Sequence, residues 1–275
     1  MKKAKLRSAV IVFLALACAR HSTPAASVRD DLNRPLALSS HIARVVTLAP
    51  NLTEIVFAIG AGNRVVGTDD FSDEPAAAKK LPKVGGMQPN IERIVALKPD
   101  VVLATTNGNH PNLAPALSAV HIPLFVLRTD RLDDVPRSME RLASLLDVKT
   151  NAAATLRQAI ARQRRARAPS PRVLFAVWAD PLYAAGRKTF SDDLFLLTGA
   201  TNVVPVEGWP QYSLESLVAA PPDTILYPGK SVSRESVDKL HVKARKGAVD
   251  ENLFTRPGPR VAIAAQELNR ILDGR

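Results

Sequence analysis

A twelve-residue stretch that occurs twice decides the fold, as ERIVALKPDVVL at residues 92–103 and as ESLVAAPPDTIL at residues 215–226, with six identical positions. In both copies, a segment that begins with glutamate runs into Pro-Asp and then into an apolar run. This order is typical of a helix followed by a buried strand. A repeat at this separation indicates that the chain contains two similar halves.

Two further pairs of segments recur in the same order. RVV at residues 44–46 matches RVL at residues 172–174, and GAGN at residues 60–63 matches GATN at residues 199–202. Each half therefore reads as alternating strands and helices, which is the pattern of βα units around a parallel sheet. We predict an α/β fold of two Rossmann-like lobes, an N-terminal lobe at residues 44–149 and a C-terminal lobe at residues 169–275.

The connection between the halves is predicted to be one long, rigid helix over residues 150–168. This segment is rich in Ala, Leu, Gln and Arg and has no internal Gly or Pro, and Pro169 and Pro171 would end it. A stiff connector predicts limited hinge motion and a ligand cleft between the lobes. Near the start of the first lobe, Asn51 is expected to cap a helix.

The N-terminus predicts export. Four basic residues precede an apolar run over residues 9–17 that ends at Cys18 and is too short to span a bilayer. The string LALAC at residues 14–18 resembles a bacterial lipobox, so we predict a signal peptide at residues 1–18, lipidation of Cys18 and a flexible tether at residues 19–43. An ordinary signal peptide cut near residues 25–26 is the alternative. Either version places the protein in the periplasm or cell envelope, and the first anchors it to a membrane.

The formal charge of +11 does not by itself indicate nucleic-acid binding. Cleavage at Cys18 would remove four basic residues and no acidic ones. Much of the remaining excess lies in an arginine-rich run over residues 157–172 that lacks aromatic neighbours and any known binding motif. A solvated helix face explains this run better than a nucleic-acid surface.

The motifs of enzymes and metal sites are not found. The glycines at residues 60–62 follow a predicted helix and precede a strand, which favours a helix C-cap over a phosphate loop. The five histidines have no metal-ligand spacing, and the acidic cluster at residues 69–74 is read as turn chemistry in preference to a cation site. We expect no catalytic residues and no bound metal, and an exported enzyme remains only a remote alternative.

Aromatic residues outside helical periodicity are the candidates for ligand recognition. They are Phe71, Trp178, Tyr183, Trp209, Tyr212 and Phe254. Flat rings that project from loops between two lobes would suit a large planar ligand, because they can both stack on it and bury it. Packing within a core is the alternative for any one of them.

The residues also carry a family resemblance. LAPNLTE at residues 48–54, FSD at residues 71–73 and the segment 92–100 resemble periplasmic binding proteins with two helix-linked α/β lobes. The resemblance extends through WPQYSLE at residues 209–215 and RPGPR at residues 256–260. Such proteins deliver cobalamin, haem or iron-siderophores to ABC importers, and the chain is most similar to the cobalamin binders.

The resemblance implies a transport function and a set of site residues. The ligand is expected to be cobalamin or a related corrinoid, with haem or an iron-siderophore as the alternative that Tyr212 and Arg256 keep open. The implied ligand-binding residues are Phe71, Trp178, Tyr183, Trp209, Asn252, Phe254 and Arg256. No catalytic cofactor is implied, and the protein is expected to act as a monomer.

Glu92 and Glu215 are equivalent in the repeat, and each begins a helix. In the family, the matching glutamates bind arginines on the transmembrane subunits of the importer. Two like charges related by pseudo-symmetry could position a bilobed protein on a two-fold permease. The alternative is that each simply compensates the dipole of its own helix.

Overall fold

The structure, a computed structural model, describes residues 27–106, residue 108 and residues 112–274. Within these residues the chain forms two α/β lobes, each built on a mainly parallel sheet, and a short helix joins them. The predicted fold class is confirmed. The signal peptide and the lipidation of Cys18 fall outside the described residues.

An antiparallel hairpin precedes the first lobe and consists of β1 (Ser27–Arg29) and β2 (Pro35–Ala37). It is attached to the lobe at the hairpin turn. The backbone N–H of Asp31 donates to the carbonyl of Val126 at 2.9 Å, and Asp31 also forms an ion pair with Arg141. The hairpin is therefore docked on the N-terminal lobe through the hydrogen bond and the ion pair of Asp31.

The prediction of a flexible tether at residues 19–43 is wrong for residues 27–43. Leu38 and Ile42 lie in the hydrophobic core, and Leu36 packs against it. Burial of these side chains stabilises an ordered path along the lobe. Residues 19–26 lie outside the described part of the chain.

The strands of the N-terminal lobe are β3 (Val45–Thr47), β4 (Val65–Thr68), β5 (Val101–Thr105) and β6 (Leu124–Leu127). They form a four-stranded parallel sheet in the order β4-β3-β5-β6. Its helices are α1 (Pro50–Ala58), α2 (Ile91–Ala96), α3 (Leu113–Ala119) and α4 (Asp134–Leu145). The strands are mainly apolar and buried, with threonines at the carboxyl ends of β3, β4 and β5, because helices cover both faces of the sheet.

A shorter helix than predicted connects the lobes. Helix α5 (Ala152–Arg162) ends six residues before the predicted boundary at Ala168. The backbone N–H of Arg165 donates to the carbonyl of Leu197 at 3.0 Å, and the Arg167 side chain donates to the carbonyl of Thr198 at 2.9 Å. These tertiary hydrogen bonds direct the chain towards the second lobe and end the helix before Pro169.

The C-terminal lobe contains a five-stranded sheet built around its longest strand. Its strands are β7 (Arg172–Ala179), β8 (Leu182–Ala184), β9 (Thr201–Asn202), β10 (Thr224–Pro228) and β11 (Arg245–Val249). Strand β8 alone runs antiparallel, in a hairpin with β7. The helices are α6 (Phe190–Leu197), α7 (Leu214–Ala219), α8 (Arg234–Asp238), α9 (Glu251–Phe254) and α10 (Val261–Leu272).

The repeat reflects a shared set of hydrogen bonds. The N–H of Asp100 donates to the carbonyl of Arg44 at 2.8 Å, while its carboxylate accepts from the N–H of Arg44 at 2.8 Å. Asp223 makes the same two bonds with Arg172, at 2.8 and 2.7 Å. The Pro-Asp motif thus fastens each helix–strand unit to the first strand of its lobe.

One hydrophobic core continues from one lobe into the other and includes α1, α4, α6 and α10. Two bidentate ion pairs cross between the lobes. Arg260 binds Glu54 with N–O distances of 2.7 and 2.8 Å, and Arg131 binds Asp193. This shared core limits independent motion of the lobes. Among the residues that the structure describes, none of the helices combines the length and the apolar character of a membrane span.

Candidate functional site

A cleft of about 370 Å³ opens between the lobes, at the carboxyl ends of their strands. This is where open α/β sheets bind their ligands. The N-terminal lobe contributes Pro50, Asn51, Thr105, Gly108, Thr129 and Asp130. The C-terminal lobe contributes Lys188, Thr189, Phe190, Gly208, Trp209, Thr255, Arg256 and Pro257. Of the seven residues predicted to bind ligand, the cleft brings together Trp209 and Arg256.

Trp209 is the exposed aromatic ring of the cleft lining, with 45% of its surface accessible. Its segment is fixed by backbone bonds on either side. The N–H of Gly186 donates to the carbonyl of Gly208 at 2.8 Å, and the N–H of Ala184 donates to the carbonyl of Pro210 at 3.1 Å. Gly208 has φ of 77°, a conformation that glycine adopts without strain. The indole is therefore presented from a rigid support.

Arg256 contributes a positive charge that is already paired across the cleft. Its Nη1 lies 2.6 Å from Oδ1 of Asp73 in the N-terminal lobe. Burial raises the pKa of Asp73, but the hydrogen bond and the charge of Arg256 outweigh it, so the pKa lies below its ordinary value. Arg256 thus lines the cleft while linking the two lobes.

Asn51 is a buried residue of the cleft lining, and its side chain binds both lobes. Its Nδ2 donates to Oγ1 of Thr129 at 3.0 Å and to the carbonyl of Pro257 at 3.2 Å. The prediction that Asn51 caps α1 is wrong, because the capping position is Ala49 and Asn51 lies within the helix. Its role could not be read locally, since its partners are 78 and 206 residues away.

Trp178 and Tyr183 lie outside the cleft lining, as cross-strand partners on the β7–β8 hairpin. Both are exposed, and the indole N–H of Trp178 donates to the carbonyl of Asp180 at 2.9 Å. Asn252 also lies outside the lining, in the first turn of α9, where its N–H donates to Asp250. A ligand contact by any of the three stays a prediction.

Phe71 is also exposed and outside the cleft lining, in a loop held by a buried polar chain. Oγ of Ser72 donates to the carboxylate of Asp69 and lies 2.7 Å from Oγ1 of Thr53, while the N–H of Phe71 donates to Asp69 at 3.1 Å. Burial raises the pKa of Asp69. Asp69 of the acidic cluster therefore holds the loop in its conformation through hydrogen bonds. Among the described residues, no group of three or more His, Cys, Asp or Glu side chains is placed to hold a metal ion.

The prediction that Phe254 contacts the ligand is wrong for this conformation. Its ring is 0% exposed and packs on Phe175, with the ring centroids 5.9 Å apart. Tyr212 is buried as well, within the core of the C-terminal lobe. Neither ring is exposed for stacking on a ligand, and Tyr212, which kept the haem alternative open in the sequence, does not line the cleft.

Glu92 and Glu215 are exposed in the first turns of α2 and α7. The helices start alike, with Asn90 capping one through its side chain and Ser213 capping the other. Neither glutamate carboxylate has an ion-pair partner within the described parts of the chain. The structure presents both charges to solvent, one on each lobe.

Comparison with known proteins agrees with this architecture. A family model described as periplasmic binding protein matches residues 45–270. The vitamin B12-binding protein of Pectobacterium carotovorum subsp. carotovorum (strain PC1) is 34% identical over 239 residues, which cover 82% of this chain and 86% of the relative.

Two solved structures share the fold. The periplasmic haem-binding protein RhuT from Roseiflexus sp. RS-1, in apo form, has a TM-score of 0.75 and 26% identity, covering 83% of this chain and 97% of its own. The periplasmic vitamin B12-binding protein BtuF of Vibrio cholerae has a TM-score of 0.69 and 24% identity, with coverage of 84% and 97%. The family model and the curated relative together identify the chain as a member of the periplasmic binding protein family.

Proposed function

We propose that this protein binds a corrinoid such as cobalamin in the interlobe cleft and delivers it to an ABC importer. The observation that carries the proposal is the exposed indole of Trp209 on the rigid wall of that cleft. An indole can stack on a large planar ring, and the resulting contact adds to the burial of apolar area. The curated relative at 34% identity is a vitamin B12-binding protein, which supports this choice of ligand.

The polar groups of the cleft suit a ligand fringed with neutral amides. The lining includes the hydroxyls of Thr105, Thr129 and Thr255 and the amide of Asn51, whose N–H groups already bind Thr129 and Pro257 and whose oxygen can still accept. Amides and hydroxyls can both donate and accept, so they match carboxamide side chains on a macrocycle. The positive charge of Arg256 is balanced by Asp73, which lowers the attraction for an anionic ligand.

The cleft volume indicates that a corrinoid would also contact the rim. About 370 Å³ lies at the lower end of the range for ligand sites. Phe71 is two residues from Asp73, which binds the cleft residue Arg256. Tyr183 pairs with Gln211, two residues after Trp209. We therefore expect Phe71, Trp178 and Tyr183 to add peripheral contacts.

Haem is the second candidate ligand, because the haem-binding protein RhuT is 26% identical with a TM-score of 0.75. The two candidates are separated by calorimetric titration of the purified chain lacking residues 1–18. The ligands are cyanocobalamin, cobinamide, haemin and a ferric siderophore. One-to-one binding of a corrinoid is expected. Binding of haemin or siderophore with no corrinoid signal would replace the ligand assignment and leave the transport role intact.

Glu92 and Glu215 are proposed to dock the protein on the importer. Their exposed carboxylates, one on each lobe, complement two equivalent basic residues on a two-fold pair of membrane subunits. The Glu92→Gln/Glu215→Gln double variant should keep corrinoid affinity and lose stimulation of the importer's ATPase in proteoliposomes. Unchanged stimulation would contradict the docking role and would support simple compensation of the helix dipoles.

Cys18 is proposed to carry a lipid that anchors the monomeric protein to a membrane in the cell envelope. The supporting observation is the lipobox-like string LALAC at residues 14–18. In cells fed with labelled palmitate, the wild-type protein should take up the label and remain with membranes. Cys18→Ser should do neither, and labelling that persists in this variant would contradict the anchor.

A further inference from the structure

A surface groove in the N-terminal lobe lies beside the helix that carries Glu92. It encloses about 210 Å³ between the loop that leads into α2 and the helix α3. Gln88 and Ile91 form one side, and Ala116 belongs to the other. The groove is separate from the ligand cleft, with which it shares no lining residue.

A second groove occupies the matching place in the C-terminal lobe. It encloses about 390 Å³ between the loop that leads into α7 and the helix α8. Gln211 and Leu214 form one side, and Ser236 belongs to the other. Residues 179–182 of the β7–β8 hairpin, which has no counterpart in the N-terminal lobe, also line this groove. Gln211 and Leu214 correspond to Gln88 and Ile91 in the same register that aligns Glu215 with Glu92.

The far walls of the grooves correspond as well. Helices α3 and α8 are each followed by a histidine with positive φ, His121 at 57° and His241 at 52°. Each histidine N–H closes the turn, on the carbonyl of Ser118 in one lobe and of Asp238 in the other. Ala116 and Ser236 both lie five residues before these histidines. The walls that precede α2 and α7 and the walls on α3 and α8 are therefore equivalent features of the repeat, whereas the hairpin wall of the second groove is specific to the C-terminal lobe.

Exposed valines accompany the glutamates on the same helices. Val95 is 41% exposed and Val218 is 64% exposed. Each lies three residues after its glutamate, which places the two side chains on one face of a helix. Every lobe thus presents a carboxylate, an apolar side chain and a groove within one short stretch of surface. Burial of such apolar surface is the usual source of binding free energy at interfaces.

We propose that the two grooves each receive one apolar side chain from the two-fold-related membrane subunits of the importer, next to the basic residues that pair with Glu92 and Glu215. The inference rests on the proposed transport function and extends it, because it names a second element of the docking surface. A partner with two-fold symmetry fits best, since each lobe presents corresponding groove walls beside its glutamate. The charge beside each groove fixes register, while the groove supplies apolar contact.

Filling the grooves tests the inference. The two groove variants, Ala116→Trp and Ser236→Trp, each place a large side chain in one groove. The matched controls, Ala154→Trp and Ser144→Trp, make the same changes at exposed positions on α5 and α4. Binding to the corrinoid importer of the same organism, held in nanodiscs, is measured by surface plasmon resonance without ligand. Each groove variant should bind at least about tenfold more weakly, because the partner side chain is excluded. The control variants should match the wild type.

Two further readouts keep the result interpretable. Cyanocobalamin affinity should be unchanged in both groove variants, since the grooves lie outside the cleft. Leu214→Ser, which removes apolar groove wall without adding bulk, should weaken importer binding by about three- to tenfold if the groove is used. It serves as the second variant should Ser236→Trp fail to fold.

The possible failures are distinct. Groove variants that bind the importer as tightly as the wild type, while the Glu92→Gln/Glu215→Gln variant does not, would overturn the groove proposal and leave docking intact. Concentration-dependent self-association that Ser236→Trp abolishes would assign the grooves to a second copy of this chain and also overturn it. A wild-type protein that binds corrinoid but never binds the importer would overturn both the docking role and the grooves.

Discussion

The N-terminal and C-terminal lobes repeat each other where helix joins strand, and they differ at the carboxyl ends of their strands. Asp100 and Asp223 make the same backbone bonds, and Gly60 and Gly199 both end a helix with positive φ. By contrast, β3 has three residues and leads directly into α1, whereas β7 has eight and continues into a hairpin.

That hairpin gives the C-terminal lobe most of its exposed rings. It carries Trp178 and Tyr183, and Ala184 at its end binds the segment of Trp209. In the N-terminal lobe, the exposed ring near the cleft is Phe71. The comparison teaches that the two lobes share their scaffold, while two of the rings proposed to contact the ligand, Trp178 and Tyr183, lie on a hairpin that only the C-terminal lobe possesses.

The largest effect on stability is expected at Phe254, the ring that packs on Phe175. Phe254→Ala should lower the free energy of unfolding by about 4 kcal/mol, because it leaves a cavity in the core. Phe71→Ala, at the exposed ring of the other lobe, should change it by less than about 0.5 kcal/mol. Urea unfolding measures both, and similar losses in the two variants would contradict the assignment of Phe254 to the core.

The next effect concerns the ion pair that joins the lobes. Glu54 is 5% exposed and binds Arg260 through two bonds, so Glu54→Ala should destabilise the protein by about 3 kcal/mol. Glu140→Ala removes an exposed pair with Arg157 and should change stability by less than about 0.5 kcal/mol. The same urea unfolding measurement applies, and equal values would mean that the interlobe pair does not hold the lobes together.

A smaller difference should separate the two copies of the Pro-Asp motif. The carboxylate of Asp100 accepts from the N–H groups of Ala43 and Arg44, whereas that of Asp223 accepts from Arg172. At about 1 kcal/mol for each bond, Asp100→Ala should lose about 2 kcal/mol and Asp223→Ala about 1 kcal/mol. Thermal unfolding of the two variants checks this, and a larger loss for Asp223→Ala than for Asp100→Ala would contradict the predicted order.

The smallest effect is expected at Asp73, whose lowered pKa reflects its pairing with Arg256. Because the folded carboxylate keeps its charge to lower pH than in the unfolded chain, its contribution is complete above the ordinary value of 3.8 and is lost as the pH falls below it. Asp73→Asn should lose about 0.5 to 1 kcal/mol at neutral pH. The difference in Tm from the wild type should shrink below pH 3.8, and a constant difference would contradict this account.

Features with local causes could be predicted from the sequence, and features with distant causes could not. The two lobes follow from Pro-Asp motifs and helix-ending glycines, which act within a few residues. The end of α5 depends on Leu197 and Thr198, and the burial of Phe254 depends on Phe175. The hairpin at residues 27–37 was missed because three-residue strands are too short to show a period.

The same distinction holds for the candidate site. Trp209 and Arg256 could be singled out from their residue types and the family resemblance, and both line the cleft. Asn51 could not be singled out as a cleft residue, since its side chain binds partners in both lobes that are distant in the sequence. The placement of Trp178 and Tyr183 depends on the hairpin register, which the sequence did not reveal.

The central claim is that the ligand binds in the interlobe cleft, and two matched tryptophan variants test it most directly. Cyanocobalamin is titrated into the wild type, Trp209→Ala and Trp178→Ala by calorimetry. The account predicts a roughly 10- to 100-fold loss of affinity for Trp209→Ala, which removes stacking and buried apolar area, and at most about a threefold loss for Trp178→Ala. Wild-type affinity in Trp209→Ala, or a larger loss in Trp178→Ala, would place the ligand outside the cleft and contradict the account.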